Sequence, residues 1–314
     1  MSRKNLILLH RGPRYENDFR EIAEKVNALD PSITVIYLHA GLNASLPDAE
    51  WGFPTLTVAL CEEFHLPIKR GPVLKNHPID KFRQQDIFRK HGIATPMAMR
   101  FRFGMKLDPI LFGEFVILKP FDARLGSHGQ GIRVLRRTRA EALTPSDFPE
   151  EHPIIQSAKG YIVQKMIYTG DRASTYRVTT FMGEPIFAFA ARSNDVSPPL
   201  TAPDAEIEAG AFTQKFSSTL VFESQEDLLA LSKDVAAAFD DVPLLGIDFV
   251  RDARTGTAYV LEVNAGGNTW HFSSDMWEER RARDPNVLNE MKQQFSAFDV
   301  AARALVERVH ELAC

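Results

Sequence analysis

The chain has 314 residues, a formal net charge of −4, 44% apolar and 25% charged side chains, enough material for about two domains with buried cores. The charge balance gives no electrostatic reason to expect nucleic acid, no stretch reaches the length of a membrane span, and the opening Ser2-Arg3-Lys4-Asn5-Leu6-Ile7-Leu8-Leu9 is too briefly apolar for a secretory signal. Two cysteines, Cys61 and Cys314, make no disulfide framework, so a reducing, cytoplasmic compartment is expected.

Residues 1–75 alternate a strand (Asn5–Leu9), a helix (Tyr15–Leu29), a strand (Ile33–Leu38) and a helix (Phe53–Phe64), the pattern of a small parallel α/β unit. Its first strand runs into His10-Arg11-Gly12-Pro13, at the edge where open α/β sheets bind ligands. A second lobe, 76–158, begins with a helix from Asp80 to His91, stopped by Gly92-Ile93-Ala94-Thr95-Pro96. It continues with strands around Lys119 and Val134. A third lobe, 159–314, opens on the apolar strand Tyr161-Ile162-Val163-Gln164-Lys165-Met166-Ile167. A hairpin follows, Arg177–Phe181 and Pro185–Arg192 about Met182-Gly183-Glu184, then an amphipathic helix from Gln225 to Phe239. Two further strands and a terminal helix from about Asn286 to Leu312 complete the chain. The expected class is α/β, with α+β character in the two later lobes.

Chemistry concentrates at three places. In Gly246-Ile247-Asp248-Phe249-Val250 and Tyr259-Val260-Leu261-Glu262-Val263-Asn264, the period of two puts Glu262 and Asn264 on one strand face. Asp248 can lie beside them across a hairpin, and such an oxygen set suits Mg²⁺, which completes its shell with water and nucleotide phosphates. The same carboxylates also read as the polar face of an ordinary hairpin. Upstream, Phe115-Val116-Ile117-Leu118-Lys119-Pro120 ends on a lysine before Gly126-Ser127-His128-Gly129-Gln130-Gly131, whose glycines let backbone N–H groups turn toward an anion. Lysine before glycines, and a strand after them, argue against a P-loop, and a hairpin with a flexible tip is the plain alternative. Thirdly, Arg177 and Arg192 stand fifteen apart across the hairpin tip, a spacing that brings them near one another and concentrates positive charge for a phosphoryl group. Solvated strand ends remain the plain alternative for both.

Taken together, Lys-Pro before a glycine-rich loop, Val163-Gln164-Lys165-Met166-Ile167 before Asp171, Arg177-Val178, Gly183-Glu184-Pro185, Ala191-Arg192 and Asp248 with Glu262-Val263-Asn264 resemble the ATP-grasp superfamily. The RimK-type amino-acid ligases and bacterial glutathione synthetases are the most similar branches, over roughly residues 76–270. The resemblance implies two lobes that clamp ATP, with Lys81 and Lys119 on its phosphates and the loop holding Gly126, Ser127, Gly129 and Gly131 closing over them. It implies that Gln164, Lys165 and Ile167 form the adenine hinge, and that Asp171 accepts from the ribose. Arg177 and Arg192 match arginines facing the γ-phosphate, and Asp248, Glu262 and Asn264 match ligands of one or two Mg²⁺ ions, for which Mn²⁺ can substitute. Thr175 stands where several such enzymes carry aspartate.

The implied activity is a carboxylate-amine ligation through an acyl phosphate, releasing ADP and phosphate, with small-molecule carboxylate and amine substrates such as amino acids or peptides. A hydroxyl or thiol acceptor, a non-catalytic ATP-binding regulatory module, and homo-oligomerisation all stay open. His10, Arg11, Asn194, Asn268 and Trp270-His271-Phe272 are placed to meet substrate, each with an ordinary loop or packing reading beside it.

Overall fold

The computed structural model describes residues 3–10, 16–39, 52–60, 71–121, 131–157, 160–212, 218–266, 282 and 284–314. Within them lie three sheets. Strands β1 (Lys4–His10), β2 (Ile33–His39), β3 (Thr55–Ala59) and β4 (Val73–Lys75) form a parallel sheet in the order β2-β1-β3-β4. Helix α1 (Glu16–Leu29) covers it with Phe19, Ile22, Ala23 and Val26, the spacing of one helix face. The helix expected at Phe53–Phe64 is instead β3, as far as the described residues reach. All five residues of Thr-Leu-Thr-Val-Ala are buried beside β1; Thr55 and Thr57 alternate with Leu56 and Val58, a strand's period of two that is hidden within the longer apolar span 53–64.

Helix α2 (Lys81–Lys90) starts where expected because Asp80 caps it, its carboxylate accepting from the N–H groups of Phe82 at 2.9 Å and Arg83 at 3.2 Å. The second sheet is antiparallel, β5 (Ala98–Arg100), β6 (Phe115–Pro120), β7 (Arg133–Arg136) and β8 (Tyr161–Lys165), ordered β5-β8-β6-β7. Strand β8 was expected in the third lobe. Its register with β6, Lys119 opposite Ile162 and Ile117 opposite Gln164, builds it into the second sheet. Val116, Leu118, Tyr161 and Val163 pack into the core of this lobe, so alternation turns Lys119, Ile162 and Gln164 to the opposite face.

The third sheet is β9 (Ser174–Phe181), β10 (Glu184–Ser193), β11 (Ser218–Val221), β12 (Leu244–Arg251) and β13 (Ala258–Ala265), antiparallel in the order β11-β10-β9-β12-β13. Helix α3 (Glu226–Ala238) packs Leu228, Val235 and Ala236 with Val178, Ala188, Ile247 and Phe249 on one of its faces. The single terminal helix expected from Asn286 is two, α4 (Val287–Gln294) and α5 (Ala297–Leu312), because Ser296 takes left-handed angles (φ 53, ψ 53) that no helix can pass through. Helix α5 buries Phe298, Ala301, Ala302, Leu305 and Val309 in one core with β1, β3 and the Phe181–Phe187 end of the third sheet. No helix among the described residues is long and apolar enough to cross a membrane.

Candidate active site

Register assembles the polar face of the third sheet. Asp248 of β12 pairs with Glu262 of β13 on one side and with Arg177 of β9 on the other, while Asn264 pairs with Gly246, so Arg177, Asp248, Glu262 and Asn264 share a face. The Arg177 guanidinium grips Asp248 with a fork, Nε to Oδ1 and one terminal nitrogen to Oδ2, both at 2.6 Å. Asn264 donates Nδ2 to Asp248 Oδ2 at 3.0 Å, which leaves its Oδ1 as the atom for a cation.

Lysines approach from the second lobe and from α2. Lys81, the first residue of α2, sets its Nζ 3.4 Å from Glu262 Oε2. A cleft between the second sheet and β13 is lined by Lys81, Phe82, Gln84, Lys119, Gln164 and Glu262 among others. Desolvation pushes the Lys119 ammonium down to about 8; Glu262 and Asp248 pull against that shift, and Lys81 adds to it. Burial also pushes Glu262 upward, but Lys81, Lys119 and Arg177 together outweigh it and hold the carboxyl below its ordinary value. At Asp248 burial wins and the carboxyl is raised, against the opposing pull of Arg177. Three cations therefore face two carboxylates, a surplus of positive charge that suits a polyphosphate.

The donor set fits a hard divalent cation held only in part by protein. Among the described residues no three His, Cys, Asp or Glu side chains gather into a metal cage. Two carboxylates and an amide oxygen are what Mg²⁺ uses when phosphates and water complete its octahedron.

The remaining expected residues divide. Gln164 is buried at the cleft wall. Lys165 and Ile167 continue the same segment, where the N–H groups of Lys165 and Met166 already serve the carbonyls of Met97 at 2.8 Å and Phe115 at 3.0 Å. Asp171 is exposed in the following turn and accepts from Tyr168 Oη at 2.6 Å. Gly126, Ser127 and Gly129 lie outside the described residues. Gly131, at the foot of that loop, has φ +70 and no room for a side chain, since a Cβ would stand 2.9 Å from Tyr161 Oη. His10 is buried with its ring 5.3 Å from Phe19, and the Asn194 side chain accepts from Thr219 at 2.7 Å. Arg11, Asn268 and residues 270–272 fall outside the described residues.

Arg192 does not join Arg177. A bulge between Pro185 and Phe187 inserts one residue into β10, so Arg177 faces Phe189 and Arg192 faces Ser174. One extra residue moves every later side chain to the other face, and Arg192 lands on the side of Tyr176, its guanidinium paired with Glu223 at 2.7 Å and 45% exposed. The expectation of two converging arginines is thus corrected by a single bulge.

Sequence reasoning also passed over Gln84, whose side chain is buried between α2 and β13. Its signal was present only as spacing, three residues after Lys81 on one helix face.

These sheets, with the cleft at the seam of the second and third, make the ATP-grasp fold. Among solved structures the chain is similar to the D-cycloserine synthetase DcsG, at 16% identity over 97% of this chain and 99% of that one, with a TM-score of 0.51. It is similar also to the macrocyclase MdnC from Microcystis aeruginosa MRC, solved with precursor peptide MdnA, at 11% identity over 96% and 99% and a TM-score of 0.51. The ATP-grasp ligase PsnB, solved with a phosphomimetic variant of a minimal precursor, Mg and ADP, matches at 13% identity over 98% and 99%, with a TM-score of 0.49. No family model and no curated protein matches the chain. At these identities the likeness to DcsG and MdnC is one of fold.

Proposed function

We propose that this chain is an ATP-dependent ligase that joins a carboxylate to an amine through an acyl phosphate, releasing ADP and phosphate. The observation that carries this reading is the meeting of Lys81, Lys119 and Arg177 with Asp248, Glu262 and Asn264 at the seam of two sheets. Asp248, Glu262 and Asn264 would hold Mg²⁺, which would supply positive charge to the transferring phosphoryl group. Lys81 and Lys119 bind the phosphate chain as point charges. Arg177 keeps Asp248 oriented and adds charge at the same end, so the γ-phosphate is the activated one. A substrate carboxylate oxygen then attacks that phosphorus and ADP leaves; the amine attacks the acyl carbon and phosphate leaves. Such chemistry asks for positioning and neutralisation rather than a side-chain nucleophile. The apolar Ile162 and the hinge from Gln164 to Ile167 would hold the base, and Asp171 the ribose.

An ADP-release screen with Mg²⁺ and ATP over amino acids and short peptides, each with and without an amine, tests the proposal. Peptides belong in it because MdnC, of the same fold, was solved holding one. ADP formation that requires a carboxylate is the expected result. Tight ATP binding without turnover over the whole panel would make the chain a regulatory module instead.

A further inference from the structure

Strand β13 carries two of the three proposed metal ligands and is the outer strand of its sheet. An outer strand presents backbone N–H and C=O groups with no strand to pair them. At Val263, the residue between Glu262 and Asn264, a side chain takes the place of that missing strand. Gln84 Oε1 accepts from the Val263 N–H at 2.9 Å, and Gln84 Nε2 donates to the Val263 carbonyl at 2.9 Å. The second Nε2 proton goes to the carbonyl of Ile79 at 3.0 Å. The carboxamide thus works as one residue of an added strand, with its acceptor and both its donors engaged.

From this geometry we infer that Gln84 is a positioning residue that fixes the height of Glu262 and Asn264 in the cleft relative to the phosphate-binding end of α2; the inference rests on the metal-site reading above. Lys81 and Gln84 are three apart on one turn of α2, so a single helical face holds Glu262 through its side chain and Val263 through its backbone. No other common side chain repeats the pattern. Asparagine is one methylene short, glutamate in its ionised form has no proton to give two carbonyls, and methionine fills the volume without pairing anything. The strand keeps a second attachment at its far end, where the Val260 N–H donates to the Ala94 carbonyl at 2.9 Å, and it keeps its whole ladder with β12. Loss of the Gln84 clamp should therefore loosen the ligands without unfolding the sheet.

The test is Mn²⁺ binding to the full chain, followed by electron paramagnetic resonance in the presence of AMPPNP, for the wild type, Gln84→Met and Gln84→Asn. Both variants are expected to bind Mn²⁺ about 10- to 100-fold more weakly, the usual consequence of removing a group that orients metal ligands. AMPPNP affinity measured without metal should stay as in the wild type. In turnover, the half-saturating Mg²⁺ concentration should rise while kcat at saturating Mg²⁺ recovers, a split that a merely structural role would not produce. Wild-type Mn²⁺ affinity in either folded variant overturns the inference, as does equal loss of Mn²⁺ and metal-free AMPPNP affinity. Absence of Mn²⁺ binding by the wild-type complex would overturn the metal-site reading itself, and this inference with it.

Discussion

Glu262 stands at the crossing of two lysines, an arginine and the proposed metal, so its charge rather than its shape should decide its role. Glu262→Gln keeps the volume and the pairing of β13 with β12. We predict a folded protein, with an unchanged circular dichroism spectrum, whose Mg²⁺-dependent ADP formation falls by about 10² to 10³, the range for removing one preorganised transition-state group. Near-normal ADP formation would remove Glu262 from the metal site. The two arginines should part company. Arg177→Lys breaks the fork on Asp248, because one ammonium cannot reproduce two parallel hydrogen bonds, and should lower stability by about 1–3 kcal/mol in denaturant titrations while impairing turnover. Arg192→Lys loosens only an exposed pair with Glu223, with an effect on stability below about 1 kcal/mol and little change in rate. Equal losses of rate in both variants would restore Arg192 to the phosphate site. Glu262 and Asn264 were legible in the sequence because a strand's period of two puts them together without further assumption. Arg192 was not, since the residue that moved it is a bulge at Pro185–Phe187 that no local pattern announces.

Elements whose ends are marked in the sequence read correctly, as α2 did between Asp80 and Gly92. Those defined by burial did not. Strand β3, buried throughout beside β1, is only five residues long, too short for its alternation of Thr55 and Thr57 with Leu56 and Val58 to outweigh the longer apolar stretch around it. The break between α4 and α5 had no proline or glycine to mark it, only Ser296 held at φ 53 without a side-chain cap hydrogen bond. A left-handed angle costs a residue with a Cβ about 1–2 kcal/mol, so Ser296→Gly should relieve strain that exceeds glycine's extra entropy in the unfolded chain. A net gain of about 0.5–1 kcal/mol is expected in chemical denaturation, with turnover unchanged. A loss of stability would mean that the Ser296 side chain holds the break by contacts of its own.

At the scale of the whole molecule, order along the chain and neighbourhood in space diverge. Helix α5, the last element, packs into the core of the first sheet, where the Lys4 ammonium bonds the carbonyls of Val309 and His310 at 3.2 and 3.1 Å. Strand β8, placed by sequence with the third lobe, lies inside the second sheet, between β5 and β6. Part of the cleft wall was nevertheless legible, since Lys81, Lys119, Gln164 and Glu262, all singled out in the sequence, line it. In the proposed reaction the γ-phosphate end of ATP is activated and a carboxylate oxygen attacks it. Substrate carboxylate labelled with ¹⁸O tests this most directly, with the inorganic phosphate analysed by ³¹P NMR after amide formation. One ¹⁸O atom carried into inorganic phosphate, alongside ADP, is the expected result. Label recovered in AMP, or phosphate free of ¹⁸O while amide accumulates, would contradict it.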